Sequence, residues 1–582
     1  MGDRDNHGVD LFQRRADGRG SGIDRIGRGE IGGKASGLVF LRDQVLARID
    51  ASRFEGIVVD VPRMTVIASG VFDRFVELNA LDPDELAHHD DAWIAHVFQR
   101  ANMPPTIVGD LHNLIRGLRA PLAVRSSSRL EDALDHPFAG VYGTKMLPNN
   151  QHDSTTRFKR LIEAVKFVYG TTWTRTARSY HESLGEDIGH ESMAVVLQEV
   201  VGRRSGDRYY PDVSGVVRSW NPYPFPGCTP EDGVASLALG LGRQIVDGGA
   251  SWTFCPRRPR IQPPWADVAD RARNTQTGFW AVNMGRPPVH DPTRETEFLV
   301  EGQLTDAERD KRLDPIVSTW DTQNDRLRPG RIGPAGSPRV LDFAPMLQFG
   351  ELPVAELLVE LIDVAREATG SEVELEFAID FGLRRDDPAR CRVLQMRPMA
   401  VHGGTVEVAE DELDHPETLV RSTSVLGDGD ETVHDVVFVD PETFDRAHTR
   451  EVAEELAELN ATLLAERRPY VLIGFGRWGS SDPWLGIPVQ WGDISGVRAL
   501  VETSLDELMA DPSQGSHFFH NLVGRGAMML TVPRTTPIAW DALRALHEVR
   551  RTKWCRHVRS DRPLRLRVDG RHGRGVIRTD DR

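Results

Sequence analysis

Residues 121–144 read PLAVRSSSRLEDALDHPFAGVYGT, and the interpretation of the whole chain starts from this stretch. The apolar run 121–124 predicts a short β-strand, and Arg125 and three serines follow it directly. A guanidinium offers a fixed fork of hydrogen-bond donors, and serine hydroxyl and backbone groups add more, which suits phosphate binding. The residues alone also allow a plainer interpretation, a strand end with a surface arginine.

The sequence of this stretch resembles that of the nucleotide-binding domain shared by pyruvate phosphate dikinase and phosphoenolpyruvate synthase. Members of that family have the motif Val-Arg-Ser-Ser, followed by three variable positions, Glu-Asp and then Phe-Ala-Gly. The matching residues here are Val124, Arg125, Ser126, Ser127, Glu131, Asp132, Phe138, Ala139 and Gly140. The resemblance implies a bilobal ATP-grasp-like domain that uses ATP and Mg²⁺.

A second candidate anion site lies in residues 25–38, RIGRGEIGGKASGL, where five glycines surround Lys34. Glycines let backbone N–H groups approach an anion closely, and a lysine adds a point charge. The spacing differs from that of a P-loop. A turn followed by a helix with an exposed lysine is the alternative, but the spelling also resembles the opening Gly-Gly-Lys of the same family.

Residues 372–380, EVELEFAID, alternate in polarity, and a polar loop joins them to residues 392–399, RVLQMRPM. The pattern predicts a hairpin with Glu374, Glu376 and Asp380 on one face. In the second strand, alternation groups Val393, Gln395 and Arg397 on one face and Leu394 and Met396 on the other. Carboxylate and amide oxygens suit Mg²⁺. An edge hairpin with a solvated polar face is the alternative.

The resemblance assigns roles to individual positions. Glu376 and Gln395 match the metal-binding positions, and Glu374 stands where the family has an aspartate. Arg397, Arg125 and Lys34 would hold the triphosphate, with Arg125 and Arg397 as catalytic residues. Gln198, Glu199 and Val200 match the strand end whose backbone pairs with adenine. Arg243 stands where the dikinases carry glutamate, which places one nucleotide contact in question.

The predicted fold class is α/β, with two lobes and a smaller C-terminal α/β domain. Residues 155–185 read as one long helix, and residues 353–369 read as an amphipathic helix capped by Gly370. The predicted division is an N-terminal lobe with both basic loops, a second lobe with the hairpin, a linker and a C-terminal domain, at 1–245, 246–402, 403–430 and 431–582.

The C-terminal third resembles only an extension found in uncharacterised proteins that share the dikinase ATP-binding domain. Within SQGSHFFHNL, residues 513–522, His517 is a candidate phosphoacceptor in a reduced swivelling domain. The alternative is a turn or helix cap at 515–517. About 180 residues follow Val401, too few for a mobile domain plus a (β/α)₈ barrel of roughly 250 residues. We therefore expect no complete phosphoenolpyruvate synthase.

Composition limits the remaining functional classes. The chain has 40% hydrophobic and 27% charged residues and a formal charge of -16, which argues against nucleic-acid or membrane binding. Four cysteines lie far apart in sequence and suggest reduced, buried thiols. No apolar run is long enough to span a bilayer, and the polar N-terminus lacks a signal peptide core, so we expect a cytoplasmic protein.

Together these features predict an ATP-dependent phosphotransferase whose phosphoryl acceptor is a histidine or an unidentified group, with a partner protein among the candidates. Two alternatives stay open. One is a nucleotide sensor or subunit without turnover, and the other is an ATP-grasp ligase that forms an acyl phosphate.

Overall fold

The structure is a computed structural model of the chain. It describes residues 9–13, 22–132, 140–184, 188–261, 263, 267–331, 336–382, 387–399, 406–480, 484–505, 522 and 526–580. The mixed α/β class predicted from the sequence is confirmed.

The strands of the described residues, in chain order, are β1 (Asp10–Leu11), β2 (Ile23–Ile26), β3 (Ile57–Asp60), β4 (Met64–Ile67), β5 (Leu122–Ser128), β6 (Thr144–Leu147), β7 (Met193–Glu199), β8 (Arg203–Ser205), β9 (Arg208–Tyr210), β10 (Val213–Arg218), β11 (Val234–Ala238), β12 (Trp252–Phe254), β13 (Gly278–Asn283), β14 (Leu299–Gln303), β15 (Val317–Asp321), β16 (Arg326–Pro329), β17 (Arg339–Leu341), β18 (Glu372–Asp380), β19 (Ala389–Met399), β20 (Thr418–Ser422), β21 (Val425–Leu426), β22 (Gly429–Val439), β23 (Tyr470–Phe475), β24 (Arg477–Trp478), β25 (Gly486–Ile487), β26 (Val497–Thr503), β27 (Met528–Val532), β28 (His547–Arg551), β29 (Cys555–Asp569) and β30 (Arg574–Thr579). The α-helices of the same residues are α1 (Gly32–Phe40), α2 (Ser69–Leu78), α3 (Pro83–Ala87), α4 (Asp91–Arg100), α5 (Pro105–Gly117), α6 (Ser154–Thr171), α7 (Arg175–Leu184), α8 (Arg243–Val246), α9 (Val268–Arg273), α10 (Leu304–Arg309), α11 (Ala344–Leu347), α12 (Val354–Thr369), α13 (Glu410–Leu413), α14 (Thr449–Ala465) and α15 (Trp540–Ala545).

The first sheet has the strand order β1-β2-β4-β7-β5-β6. β1, β2 and β4 run parallel, and β7, β5 and β6 continue the sheet antiparallel. Helix α1 packs between this sheet and the second one, because Ala35 and Leu38 share a buried cluster with Val66 of β4 and Leu375 of β18. The glycine-rich loop and the Arg-Ser-Ser strand therefore meet at the same end of the first sheet.

Close packing fixes the start of α1. The Ser127 hydroxyl accepts a hydrogen bond from the Ala35 N–H at 3.1 Å and donates one to the Ile31 carbonyl at 2.8 Å. A Cβ on Gly33 would overlap the backbone carbonyl of Glu131. Only a residue without a side chain lets the helix start this close to the loop after β5.

The second sheet has the order β12-β11-β10-β18-β19-β3, and β18 and β19 form the predicted hairpin. The predicted lobe boundary at residue 245 does not match this sheet. β10 and β11 already belong to it, and Arg218 of β10 lies opposite Glu374 of β18. These two residues are 156 positions apart, so their pairing leaves no local signal in the sequence.

A β-bulge at Leu394 interrupts the pairing of β18 with β19. Because a bulge inserts one unpaired residue, the inward and outward positions exchange there. Val393 therefore lies in the buried core, whereas Leu394 lines a cavity on the opposite face. The prediction that Val393 shares a face with Gln395 and Arg397 is wrong. Those two keep the predicted face because both follow the bulge.

The C-terminal domain contains a nine-stranded sheet in the order β20-β30-β29-β22-β23-β26-β27-β21, with β28 added on β29. Its strands β22, β23, β26 and β27 run parallel, and α14 connects the first two. β20 begins at Thr418 and pairs with β30, so the predicted linker 403–430 is too long. Short strands such as β20 show little hydrophobic periodicity, so the sequence pattern does not distinguish them from a linker.

The C-terminal domain is docked on the helices that pack against the first sheet. Buried apolar side chains of both parts form one contiguous cluster, which joins Phe72 and Trp173 to Leu472, Trp478 and Trp491. Hydrophobic burial of this kind is the main force that holds packed layers together.

Two helix predictions had different outcomes. α12 runs from Val354 to Thr369 and ends at Gly370 with φ 68°, as predicted. The predicted long helix divides into α6 and α7, because the Thr171 and Thr174 hydroxyls bond carbonyls three residues earlier, at 2.6 and 3.0 Å. Such side-chain bonds compete with regular helix geometry.

None of the helices in the described ranges combines the length and the apolar composition that a membrane span requires.

Replacing Gly33 with alanine tests the close approach of α1. The added methyl group would overlap the Glu131 carbonyl, so we expect the free energy of unfolding to fall by about 1–3 kcal/mol. Gly278→Ala is the control, because the nearest atom to its new Cβ lies at an ordinary 3.4 Å. Urea unfolding measures both variants, and equal stability of the two would contradict the packing described here.

Candidate functional site

A cavity of about 470 Å³ opens between the first sheet, the second sheet and the C-terminal domain. This volume lies within the range of small-molecule sites, roughly 300–1,000 Å³. Eight of the residues to which the family resemblance assigns a binding or catalytic role line it, namely Lys34, Arg125, Gln198, Glu199, Val200, Glu376, Gln395 and Arg397. The two basic loops and the hairpin thus meet at one place. Phe138, Ala139 and His517 lie outside the described residues.

Arg125 joins the two sheets across the cavity. Its guanidinium donates to the Gln198 side-chain oxygen and to the Leu394 carbonyl, both at 3.1 Å, and also to the Gln395 side-chain oxygen. The Glu376 carboxylate lies 3.8 Å from the same guanidinium. The Arg125 guanidinium is therefore held rigidly, and its positive charge lies close to the side-chain oxygens of Glu376 and Gln395.

Lys34 is positioned by Glu131, a residue that was noted in the sequence but not assigned to the site. The Lys34 ammonium forms an ion pair with the Glu131 carboxylate and lies 3.2 Å from the Ser126 hydroxyl. Glu131 is buried and also accepts hydrogen bonds from the Ser126 hydroxyl and the Ser128 N–H at 2.8 and 2.9 Å. The Glu-Asp pair of the quoted motif was the signal that could have identified it.

Asp132 is a second residue that the sequence assignment missed. Its carboxylate accepts two hydrogen bonds from the Gln395 amide at 2.8 and 2.9 Å, and its backbone is left-handed with φ 61°. Burial raises the pKa of the Asp132 carboxyl to about 6, although Arg397 and Lys34 work to lower it. Removal from water therefore works against the charged form of this carboxyl.

Glu374 does not line the cavity. Its buried carboxylate accepts hydrogen bonds from Arg397 at 2.6 Å and from Arg218 at 2.6 Å, one on each oxygen. The expected role of Glu374 as a metal ligand therefore has no support in this arrangement, since both oxygens face arginines. Glu374 instead orients Arg397, which also lies 3.3 Å from Glu376.

Arg397 is fully buried among carboxylates. Burial works to lower the pKa of its guanidinium, but Glu374, Glu376 and Asp132 outweigh burial and raise that pKa above its usual value. Its NH1 group lies 4.0 Å from Asp132, on the cavity side of the cluster. Arg397 therefore stays charged and presents that charge to the cavity.

The oxygens beside Arg397 fit a magnesium ion in their chemistry. Glu376 and Asp132 supply carboxylates and Gln395 supplies an amide oxygen, the hard donors that Mg²⁺ prefers. The Gln395 oxygen already accepts a hydrogen bond from Arg125, so it would bind the ion through its second lone pair. These three residues are the ones that would hold the ion.

Part of the cavity wall is apolar. Ala123, Val200, Leu241 and Leu299 belong to one small buried cluster, with Met146 packed against it, and all five line the cavity. An apolar wall of this kind suits a flat heterocycle, whereas the part near Lys34 suits an anion. The cavity wall thus combines an apolar part with a charged part.

The strand end at 198–200, for which the family resemblance predicts an adenine contact, lines the cavity. The Val200 N–H donates to the Pro121 carbonyl at 2.9 Å, and the Tyr209 hydroxyl donates to the Val200 carbonyl at 3.3 Å. Both backbone groups of Val200 therefore have partners within the protein. The Glu199 N–H likewise donates to the Arg63 carbonyl at 3.0 Å, so what this segment offers the cavity is the Val200 side chain.

Arg243, the departure from the family pattern, is held by acids of this chain. Its guanidinium lies 2.9 Å from Asp247 and 3.7 Å from Glu295, and it stacks over the Trp280 ring. All but Trp280 line the cavity. The positive charge of Arg243 is therefore balanced by these two carboxylates.

The C-terminal domain supplies one wall of the cavity, which the sequence did not predict. Residues 477–480 and 488–491 line it. The Arg477 guanidinium donates to the Gly248 carbonyl at 3.4 Å, and the Thr176 hydroxyl donates to the Gln490 side chain at 3.0 Å. A Cβ on Gly486 would overlap the backbone of Arg477, so this glycine permits the β24–β25 pairing that places Arg477.

Asp132→Asn tests whether burial raises the pKa of the Asp132 carboxyl. The folded carboxyl keeps its proton up to about pH 6, whereas the unfolded carboxyl loses it near 3.8. Ionising Asp132 therefore costs stability, and the free energy of unfolding of the wild type should fall relative to Asp132→Asn as the pH rises through this window. The expected difference reaches at most about 3 kcal/mol.

Asparagine suits this test because it tolerates the left-handed backbone of position 132. Urea unfolding of both proteins at about pH 4 and about pH 7, without divalent cations, measures the difference. Parallel pH profiles of the two proteins would show that burial does not raise the pKa of the Asp132 carboxyl.

Comparison with known proteins places these residues in a family. A family model described as "Pyruvate phosphate dikinase, AMP/ATP-binding domain" matches residues 28–417. A phosphoenolpyruvate synthase of Aeropyrum pernix is 32% identical over 159 residues, which are 26% of this chain and 17% of that protein. The chain thus matches less than a fifth of that relative's length.

The family match spans most of the chain and includes both basic loops, the hairpin and the strand end at 198–200. The chain belongs to the family of the pyruvate phosphate dikinase AMP/ATP-binding domain.

Proposed function

We propose that the cavity binds ATP together with Mg²⁺ and that the protein transfers a phosphoryl group from ATP to an acceptor. The observation that carries this proposal is the polarity of the cavity. One part of its wall is apolar, and another brings Lys34, Arg125 and Arg397 together with the oxygens of Glu376, Asp132 and Gln395. That pairing of apolar side chains with fixed charged groups fits a nucleoside triphosphate.

In this proposal the residues act mainly by positioning and by neutralising charge. The adenine packs among Ala123, Val200 and Leu241, and the triphosphate extends towards Lys34 and Arg125. Both cations are held by hydrogen bonds before any ligand arrives, so little reorganisation is needed on binding. Arg397, held by Glu374, adds a third fixed charge.

Magnesium, when bound by Glu376, Asp132 and Gln395, would neutralise phosphate charge and favour departure of the leaving group. In the transfer itself the bridging P–O bond to the leaving phosphate breaks. A nucleophilic atom of the acceptor forms the new bond to phosphorus. Arg125 and Lys34 would stabilise the negative charge that collects on the leaving oxygens.

The acceptor would approach from the wall formed by the C-terminal domain. That wall lies opposite the two sheets and presents Arg477 and Ser480 to the same cavity. The acceptor could be a small molecule that fits this part of the cavity, or a side chain delivered to it, for which His517 remains a candidate. A nucleotide-binding role without turnover is the second outcome that the product assay distinguishes.

Arg125→Ala tests nucleotide binding. Losing charge-assisted hydrogen bonds should weaken the binding of Mg-ATP by roughly 10- to 100-fold. Arg125 is preferable to Arg397 for this purpose, because removing Arg397 would leave Glu374 buried without that partner. Arg74→Ala is the matched control, since Arg74 forms only an exposed pair with Glu77.

Calorimetry measures the affinity of each variant, and chromatography identifies the nucleotide products of the wild type. AMP with phosphate indicates dikinase chemistry, and ADP with a new acyl product indicates a ligase. Intact ATP after binding would identify a sensor. Equal affinities of wild type and Arg125→Ala would place the nucleotide elsewhere and remove the proposal.

Arg477→Ala separates binding from transfer. Because Arg477 lies on the wall contributed by the C-terminal domain, we expect turnover to fall by about tenfold or more, while the affinity for Mg-ATP changes little. Arg498→Ala is a control on the same domain, where the arginine forms a half-exposed pair with Glu431. If Arg477→Ala weakens ATP binding and leaves turnover per bound ATP unchanged, the wall serves the nucleotide rather than the acceptor.

A further inference from the structure

Two cysteines that are distant in sequence meet at the edge of the second sheet. Cys228 lies in the connection between β10 and β11, and Cys255 directly follows β12. Their sulfur atoms and a carboxylate oxygen of Asp232 all lie within 4.8 Å of one another. The expectation of four separated thiols thus holds along the sequence but not for this pair in space.

We infer that Cys228, Asp232 and Cys255 form a binding site for one thiophilic divalent cation of the zinc class. Thiolates and a carboxylate are established zinc ligands, and three protein ligands leave a fourth position for water. Two sulfur ligands disfavour Mg²⁺, which prefers oxygen. None of the three residues lines the nucleotide cavity, so the site is independent of the proposed function.

The fold prepares the three groups in advance. Antiparallel pairing of β11 with β12 sets Ala235 opposite Phe254, which brings the residues just before β11 next to those just after β12. The Asp232 carboxylate is fixed by a hydrogen bond from the Thr229 N–H at 2.9 Å. The Cys228 N–H donates to the Phe225 carbonyl at 2.8 Å, which closes the turn that carries this thiol.

The surroundings suit a bound cation. Cys255 is buried, and Cys228 and Asp232 are half-buried, so an ion can enter from the side of Cys228 and be shielded once bound. The half-exposed Arg258 guanidinium lies 3.5 Å from the Asp232 carboxylate and balances its charge in the metal-free protein. A divalent cation would take over that role.

Binding requires the loss of protons. Burial, with a contribution from the neighbouring Cys228, raises the pKa of the Cys255 thiol to about 11, so the free protein holds a protonated thiol there. The metal forms bonds to both sulfurs and displaces their protons to the solvent. The bond geometry then ties the loop 221–232 to the end of β12.

Metal titration of the reduced, desalted full-length protein tests the inference. We expect one equivalent of Cd²⁺ to produce thiolate charge-transfer absorption, and Zn²⁺ to compete for the same site. Cys228→Ser should weaken binding by about 100-fold or more, because even changes outside the ligand shell cost 10- to 100-fold. Cys555→Ala, at a buried cysteine of the C-terminal domain, is the control and should bind as the wild type does.

Cys228 is the deciding position because it lies in a turn and is only partly buried, so serine there should preserve the fold. Asp232→Asn, which keeps both thiols, should weaken binding by about tenfold and serves if Cys228→Ser fails to fold. Zn²⁺ should also raise the melting temperature of the wild type and not that of Cys228→Ser.

Two results would overturn the inference. One is metal binding that is unchanged in Cys228→Ser and Asp232→Asn. The other is a reduced wild type that binds neither Cd²⁺ nor Zn²⁺, while mass spectrometry of the untreated protein shows Cys228 and Cys255 joined as a disulfide.

Discussion

The contact of Arg125 with Gln395 joins two sheets through residues that lie 270 positions apart in the chain. One partner is on the strand that carries the serine loop, and the other is on the hairpin. The Gln395 amide in turn holds Asp132, which comes back from the loop after the same strand. These contacts close a ring of polar groups around one end of the cavity. The position of every charged group there depends on both sheets being in register.

Within that ring, two of the basic side chains that line the cavity are each held by a buried acidic side chain. Glu374 and Arg218 are buried together behind Arg397, and Glu131 is buried behind Lys34. In each case an acid that faces away from the cavity fixes a base that faces it. Buried pairs of this kind add little to stability by themselves, but they keep a cation in one orientation. The site is therefore organised before a ligand arrives.

Local pattern was sufficient for the parts of this site that local chemistry defines. The glycines before Lys34, the strand before Arg125 and the alternation of β18 could all be interpreted from neighbouring residues. The two carboxylates of β18 show the limit. Glu374 and Glu376 share a face, as alternation requires, but only Glu374 lies against Arg218 of the adjoining strand, and that long-range pairing separates their roles. The bulge at Leu394 and the left-handed backbone of Asp132 likewise depend on partners that the sequence does not reveal.

The apolar cluster that the C-terminal domain shares with the helices on the first sheet limits where the chain can be divided. The family match ends at residue 417, yet Phe72 and Trp173 belong to the same cluster as Leu472 and Trp491 beyond it. Truncating the chain at residue 417 would expose a broad apolar surface on the remaining fragment and promote its self-association. The region that the family model matches is thus not an autonomous module, and its folding is coupled to the segment that follows.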